Sequence, residues 1–128
     1  MKELTRSEEQ VMQILWRVGK GYVHELLQYF PEPKPAYNTV STFIRILEKK
    51  GFVDHENINK SHLYYPMVTK SEYAKQTFKT LLKGYFSNSY KQMVSFFADD
   101  DKLSISELEE MKKLIDKQIL EKQKANES

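Results

Sequence analysis

The 128-residue sequence predicts a mainly α-helical fold with one small β-hairpin near its middle. Three observations carry that expectation. Apolar residues recur at helical spacing through most of the chain, the period shortens to two only between residues 52 and 67, and Gly and Pro punctuate the boundaries.

The first helix starts at Thr5, where Thr5-Arg6-Ser7-Glu8 has capping-box form. Val11, Met12, Leu15, Trp16 and Val18 supply its apolar stripe, with Trp16 expected in the core, and Gly19 stops it. A short second helix, Val23 to Tyr29, buries Leu26, Leu27 and Phe30. Pro31, Pro33 and Pro35 then exclude helix and make an extended spacer. The third helix, Tyr37 to Lys50, places Val40, Phe43, Ile44 and Leu47 on one face, and Gly51 ends it.

Phe52 to Glu56 reads as a strand, Asn57 to Lys60 as a polar turn, and Ser61 to Met67 as the return strand. Thr69-Lys70-Ser71-Glu72 is a second capping box and opens a fourth helix with Tyr73, Phe78, Leu81, Leu82 and Tyr85 inward. After Ser87-Asn88-Ser89, a fifth helix carries Tyr90, Met93, Val94, Phe96 and Phe97. Asp99 to Asp101 interrupts, and Ser104-Ile105-Ser106-Glu107 caps a last helix with Leu108, Met111, Leu114, Ile115 and Ile119. Residues 124–128 read as frayed. Three helices followed by a hairpin is the order of a winged helix-turn-helix. The expected division is a winged-helix DNA-binding domain at 1–68 and a helical dimerisation region at 69–128.

Composition excludes more than it assigns. With no cysteine, the chain has no disulfide scaffold, thiolate nucleophile or thiolate-ligated zinc or iron–sulfur site. No apolar run approaches the ~18–20 residues of a membrane span, and Met1 to Thr5 lacks a secretory apolar segment. A cytoplasmic protein without membrane insertion is therefore expected. No phosphate loop, nucleophile elbow or zinc-protease motif occurs, so an enzyme is not expected, nor is a cofactor. The net charge of +2 is weak for a nucleic-acid binder, so the placement of side chains has to carry the function.

With its apolar face inward, the third helix turns Tyr37, Asn38, Ser41, Thr42, Arg45 and Lys49 outward. Asn pairs bidentately with adenine, Arg with guanine, and Ser or Thr serves bases or phosphates. Asn38, Ser41, Thr42 and Arg45 are accordingly the base-reading candidates, with Tyr37 and Lys49 on the backbone. The hairpin adds Asn57, Asn59, Lys60, Ser61 and His62, of which Asn59, Lys60 and Ser61 are the firmest backbone candidates. A face built for solubility alone favours Glu and Lys over these poorer helix formers. His24, His55 and His62 are the only histidines. His55 and His62 could face each other across the hairpin beside Glu56, a set read as hairpin surface with no metal. Lys75, Lys79 and Lys83 read as a solvated stripe.

The aromatic-rich C-terminal region is expected to bury its surplus against a second copy, through Leu81, Leu82, Tyr85, Phe86, Tyr90, Met93, Val94, Phe97, Leu108, Met111 and Ile115. The competing reading is a winged-helix protein–protein interaction module without DNA binding, which the near-neutral charge favours.

These residues resemble the penicillinase-repressor family of winged-helix regulators over essentially the whole chain. Leu4-Thr5-x-x-Glu8-x-x-Val11-Met12-x-Ile14-Leu15-Trp16 looks like its first helix. Tyr37-Asn38-Thr39-Val40-Ser41-Thr42-Phe43-Ile44-x-x-Leu47-x-x-Lys50-Gly51 looks like its recognition helix, and Tyr64-Tyr65-Pro66 like the strand closing its wing. The resemblance implies a homodimeric transcriptional repressor that binds a palindromic double-stranded DNA operator. The family's base-contacting positions fall on Asn38, Ser41 and Thr42; two of them differ in type from the Lys and Arg of the best-known repressors. The resemblance also implies a membrane-bound sensor protease as inducer, cutting an Asn-Phe bond. The matching bond is Phe96–Phe97, with Phe96 in place of Asn. The family's copper-responsive branch relies on cysteine pairs that this chain lacks.

Overall fold

The computed structural model describes residues 1–127. Its elements follow the order α1 (Arg6–Val18), α2 (Val23–Leu27), α3 (Tyr37–Lys49), β1 (Val53–Ile58), β2 (Ser61–Pro66), α4 (Lys70–Phe86), α5 (Tyr90–Ala98) and α6 (Ile105–Glu127). This is a winged helix followed by a helical region. The chain separates into two compact units, Met1–Phe78 and Lys79–Ser128. The expected boundary after residue 68 lies earlier than this division, because the first turns of α4 pack with the winged unit.

In that unit the apolar stripes of α1, α2 and α3 converge. Val11, Met12, Leu15, Leu26, Val40, Ile44, Leu47 and Phe52 are wholly buried, each contributing on the order of 1.5–3 kcal/mol of apolar burial. Phe43 is only half-buried at the rim of this core. Trp16 is likewise a rim residue: half-buried, it donates from Nε1 to the Val68 carbonyl at 2.8 Å and leans on Tyr73. Tyr73 also meets Phe52 edge-on at 5.6 Å, which explains why the start of α4 belongs to this unit.

The capping box at Thr5 forms as its sequence requires, with reciprocal bonds of 3.2 Å between Thr5 and Glu8. Glu8 itself is buried, and Lys50, at the end of α3, donates to both of its carboxylate oxygens. Lys50 also reaches the Glu3 carbonyl at 3.2 Å. This pair fixes the C-terminal end of α3 against the first turn of α1. Burial pushes the Glu8 carboxyl up, but Lys50 and the Thr5 amide and hydroxyl outweigh it and hold it below the usual carboxylate range.

After α3, Gly51 adopts φ +83°, the left-handed stop that lets the chain turn into β1. The strands pair antiparallel in the register Val53↔Pro66 to Ile58↔Ser61. The turn is therefore shorter than expected from sequence. Asn57 and Ile58 join the ladder, leaving Asn59 (φ 48°) and Lys60 (φ 68°) as a two-residue turn with both residues left-handed. That geometry matches the twist of the flanking strands, and Asn tolerates it well. Reciprocal 2.9 Å bonds between Gly21 and Tyr64 seat the hairpin against the α1–α2 connection.

In the second unit, Ser87 and Asn88 take positive φ and end α4 as the sequence break suggests. Ser89 then caps α5 by accepting from the Gln92 amide at 3.1 Å. Ser104 accepts from the Glu107 amide at 3.1 Å and starts α6. α6 continues to Glu127, so residues 124–127, expected to fray, are helical; Ser128 lies outside the described residues. Leu82 is buried, and Phe86 meets Phe96 at 5.4 Å. Most of the remaining apolar surface is open: Tyr85 is 80% exposed, Phe96 72% and Leu114 62%. Among the described residues no helix is long and apolar enough to cross a membrane.

Candidate nucleic-acid interface

The turns of α3 sort its polar residues into two neighbouring rows. Tyr37, Ser41 and Arg45, four residues apart, form one, and Glu48 extends it by a turn; Asn38, Thr42 and Lys49 form the other. Tyr37, Asn38, Thr42, Arg45 and Lys49 are exposed and Ser41 is half-buried. The first row forms one wall of a cleft of about 460 Å³ whose other walls are the hairpin, through Lys60, Ser61, His62 and Tyr64, and the start of α2, through Tyr22 and His24. The fold thus brings together six residues named from sequence: Tyr37, Ser41, Arg45, Lys60, Ser61 and His62. Asn38, Thr42 and Lys49 lie outside the cleft on the adjacent strip, and Asn59 sits exposed at the hairpin tip.

Hydrogen bonding sets what each group has left to offer. Thr42 Oγ1 donates to the Asn38 carbonyl at 2.9 Å, so its proton is used within the helix while its oxygen can still accept. Arg45 Nε donates to the Ser41 carbonyl at 3.4 Å. This bond leans the guanidinium along α3 and leaves its terminal N–H groups for an outside acceptor. Asn38 keeps both its amide donors and its acceptor at the first turn of the helix, where a groove-entering helix reads deepest.

Glu48, Tyr64, Tyr22 and His24 belong to this surface without a local signal in the sequence, whereas His62 is an expected contact and His55 its expected neighbour across the hairpin. Glu48 accepts from, or shares a proton with, His55 Nδ1 at 2.8 Å. The His55 ring stacks on His62 at a centroid distance of 4.0 Å, and His62 Nδ1 lies 3.3 Å from the Tyr64 hydroxyl. Tyr64 is buried at the cleft floor. Burial pushes its phenol above the usual range, Glu48 and Tyr37 add to this, and Arg45 opposes it. Tyr22 and His24 stack at 5.7 Å on the α2 side. Glu56, the carboxylate expected beside the histidines, instead pairs with Lys20 at 3.2 Å. The alternation of β1 sends residues 55 and 56 to opposite faces.

In the second unit, Leu81, Tyr85, Tyr90, Val94 and Ile115 of the expected dimerisation set are exposed. Phe86, Met93, Phe97, Leu108 and Met111 are half-buried, and Leu82 is buried. Leu114, Ile119, Leu120 and Ile105 are also exposed, an apolar surface on α6 wider than that set. Phe96 and Phe97 both lie inside α5.

A family model described as penicillinase repressor matches residues 4–117. The methicillin resistance regulatory protein MecI of Staphylococcus aureus (strain N315) is 28% identical over 116 residues, 90% of this chain and 94% of that one. The penicillinase repressor of Bacillus licheniformis is 22% identical over 115 residues, 89% of this chain and 90% of its own. Among solved structures, a mutant of MarR from E. coli aligns over 91% of this chain and 79% of that chain, with 14% identity and a TM-score of 0.45. With the family match spanning both units and the winged fold in place, the chain belongs to the penicillinase repressor family of DNA-binding transcriptional repressors.

Proposed function

We propose that the chain represses transcription as a homodimer, each protomer placing its α3 in the major groove of one half of a palindromic DNA operator. The observation that carries this reading is the convergence of Tyr37, Ser41 and Arg45 of α3 with Lys60 and Ser61 of the hairpin on one cleft. A helix and a hairpin tip that share a polar, cation-bearing concavity suit a duplex, whose groove takes the helix while its phosphates take the tip.

In this reading Asn38, Ser41, Thr42 and Arg45 address base edges, with Arg45 pre-oriented by its bond to Ser41. Tyr37, Lys49, Asn59, Lys60 and Ser61 hold the sugar-phosphate backbone. The net charge of +2 gives little bulk attraction, so affinity depends on pairing two readers. The open apolar residues of the second unit, Tyr85, Tyr90 and Ile115 among them, support a second copy as that partner. Occupancy of the operator then blocks transcription. Release by a sensor protease would act at Phe96–Phe97 within α5, where the helix must unwind before a protease can take it.

The test is a fluorescence-anisotropy titration of a twofold-symmetric duplex selected from a random library. Asn38→Ala should weaken binding about 5- to 150-fold per half-site, the equivalent of about 1–3 kcal/mol, and relax base preference at one position. Unchanged affinity and preference would remove α3 from base reading. Wild-type protein with no salt-sensitive affinity for any duplex would favour the interaction-module alternative.

A further inference from the structure

We propose that Glu48, Asp54 and His55 form a binding site for a divalent transition cation of the zinc class, at the junction of the last turn of α3 and the first strand of the wing. One ligand atom from each residue lies within 4.8 Å of the other two. One imidazole and two carboxylates are a donor set that zinc accepts, with bonds of about 2.0–2.2 Å and an open position left for water or an outside ligand. Donors around such an ion stand roughly 3.3–3.5 Å apart, so the His55–Glu48 pair, now 2.8 Å apart, opens slightly while Asp54 draws in by at most roughly 1.5 Å. Asp54 is exposed and free to do so. Although alternation starts Asp54 on the opposite face of β1 from His55, its short side chain folds back along the strand so that Oδ1 accepts from the His55 amide at 2.8 Å, which brings the carboxylate within reach of the ion.

The imidazole is already aimed. Its Nδ1 points at Glu48 Oε2, 2.8 Å away, and the stacked His62 ring covers one of its faces. His62 is in turn held by the Tyr64 hydroxyl at 3.3 Å. His62 and Tyr64 are therefore positioning residues for the ligand His55. Coordination through Nδ1 requires that atom to be free of its proton, so the tautomer carrying hydrogen on Nε2 is the binding form.

The cation would have two effects. It would cross-link α3 to the wing, fixing the angle at which the hairpin stands over the cleft. It would also offset the charges of Glu48 and Asp54 beside a surface offered to phosphates, since Glu48 lines the same cleft as Arg45 and Lys60. The consequence for DNA rests on the repressor reading; the site itself does not.

Calorimetric titration of the full chain with zinc chloride tests the site. One ion per protomer is expected, with affinity falling at least tenfold in His55→Ala and in Glu48→Gln and unchanged in Glu56→Gln. Circular dichroism confirms that each variant is folded, and Glu48→Gln serves if His55→Ala is not. No binding by wild type, or equal binding by the folded Glu48→Gln variant, overturns the site. In a second arm, DNA affinity is measured with and without zinc, expecting a rise in wild type that is absent in Glu48→Gln. Wild type that binds DNA equally in both conditions overturns the coupling. Wild type that binds no DNA in either overturns the repressor reading instead, while calorimetry still decides the site.

Discussion

Replacing Lys50 by Met should expose how much the placement of α3 depends on a single buried ion pair. Glu8 is 3% exposed and the Lys50 side chain 21%, so Met keeps most of the stem's packing and removes only the ammonium. The Glu8 carboxylate then retains its bond from the Thr5 amide but has no cation. Breaking such a pair from one side costs about 3–5 kcal/mol. There is a ceiling, because the carboxyl can escape by taking up a proton. With an ordinary pKa of about 4.3, that costs about 4 kcal/mol at pH 7. A loss of about 2–4 kcal/mol is expected, a drop in Tm on the order of 10–25 °C for a unit of this size.

The pH dependence follows from the depressed Glu8 carboxyl. A carboxyl whose folded pKa lies below its unfolded value contributes stability above the unfolded value, and loses it as pH falls through the folded one. The gap between wild type and Lys50→Met should therefore be full at pH 7 and shrink steadily as pH falls towards about 4, because the cost of protonating the unpaired carboxyl drops by about 1.4 kcal/mol per pH unit, and close further as the wild-type pair is itself protonated. Adding Glu8→Gln to Lys50→Met should recover part of the loss at pH 7, because no charge is left buried. Urea unfolding followed by tryptophan fluorescence suits the measurement, since Trp16 is the only Trp. A Lys50→Met variant within 0.5 kcal/mol of wild type (roughly the scatter of surface substitutions), or a gap independent of pH, would refute the reasoning.

Three further outcomes are expected. Lys60→Ala should weaken operator binding evenly across sequences and lower the salt slope by about 0.9 for each phosphate no longer neutralised, twice that in a dimer; a sequence-dependent loss would assign Lys60 to base reading. Tyr85→Glu, at a side chain 80% exposed within the chain, should leave helix content intact while sedimentation shows monomers and operator affinity falls. A variant that stays dimeric would move the interface away from this part of α4. Leu15→Ala, at a wholly buried position where α1 meets the core, should cost about 2–5 kcal/mol in urea unfolding, and a smaller cost would mean the core closes around the gap.

The helices were legible because their signals are local. The Thr5 and Ser104 caps, the Gly19 and Gly51 stops and the apolar row Val40, Ile44, Leu47 each act within a turn or two of chain. The outward row of α3, Tyr37, Ser41 and Arg45, follows from the same periodicity without reference to the cleft it lines. Positions at the margin of a stripe share the core's period without its depth. Phe43 and Trp16 carry the period of the core yet lie at its rim, because periodicity gives a direction and not a depth. The hairpin turn is shorter than its polar run suggests, since its length is set by which pairs complete the ladder, and Asn57 and Ile58 gain a partner that sequence does not display.

The partners across elements belonged to the fold alone. Glu8, legible only as a capping-box residue, and Lys50, legible only as the end of a helix, stand forty-two positions apart until packing buries them together. Glu56 stood beside His55 in sequence, yet strand alternation turns it to Lys20, and the carboxylate that meets His55 is Glu48 from the end of α3. By itself the sequence determined the winged order of elements, the polar face of α3 and the surplus of apolar side chains after residue 79, all properties of residues near one another along the chain. Only the tertiary structure decided which charges are buried, which walls share the cleft and which carboxylates surround His55. Those depend on side chains meeting from distant segments, where burial and distance, rather than spacing, set the energy.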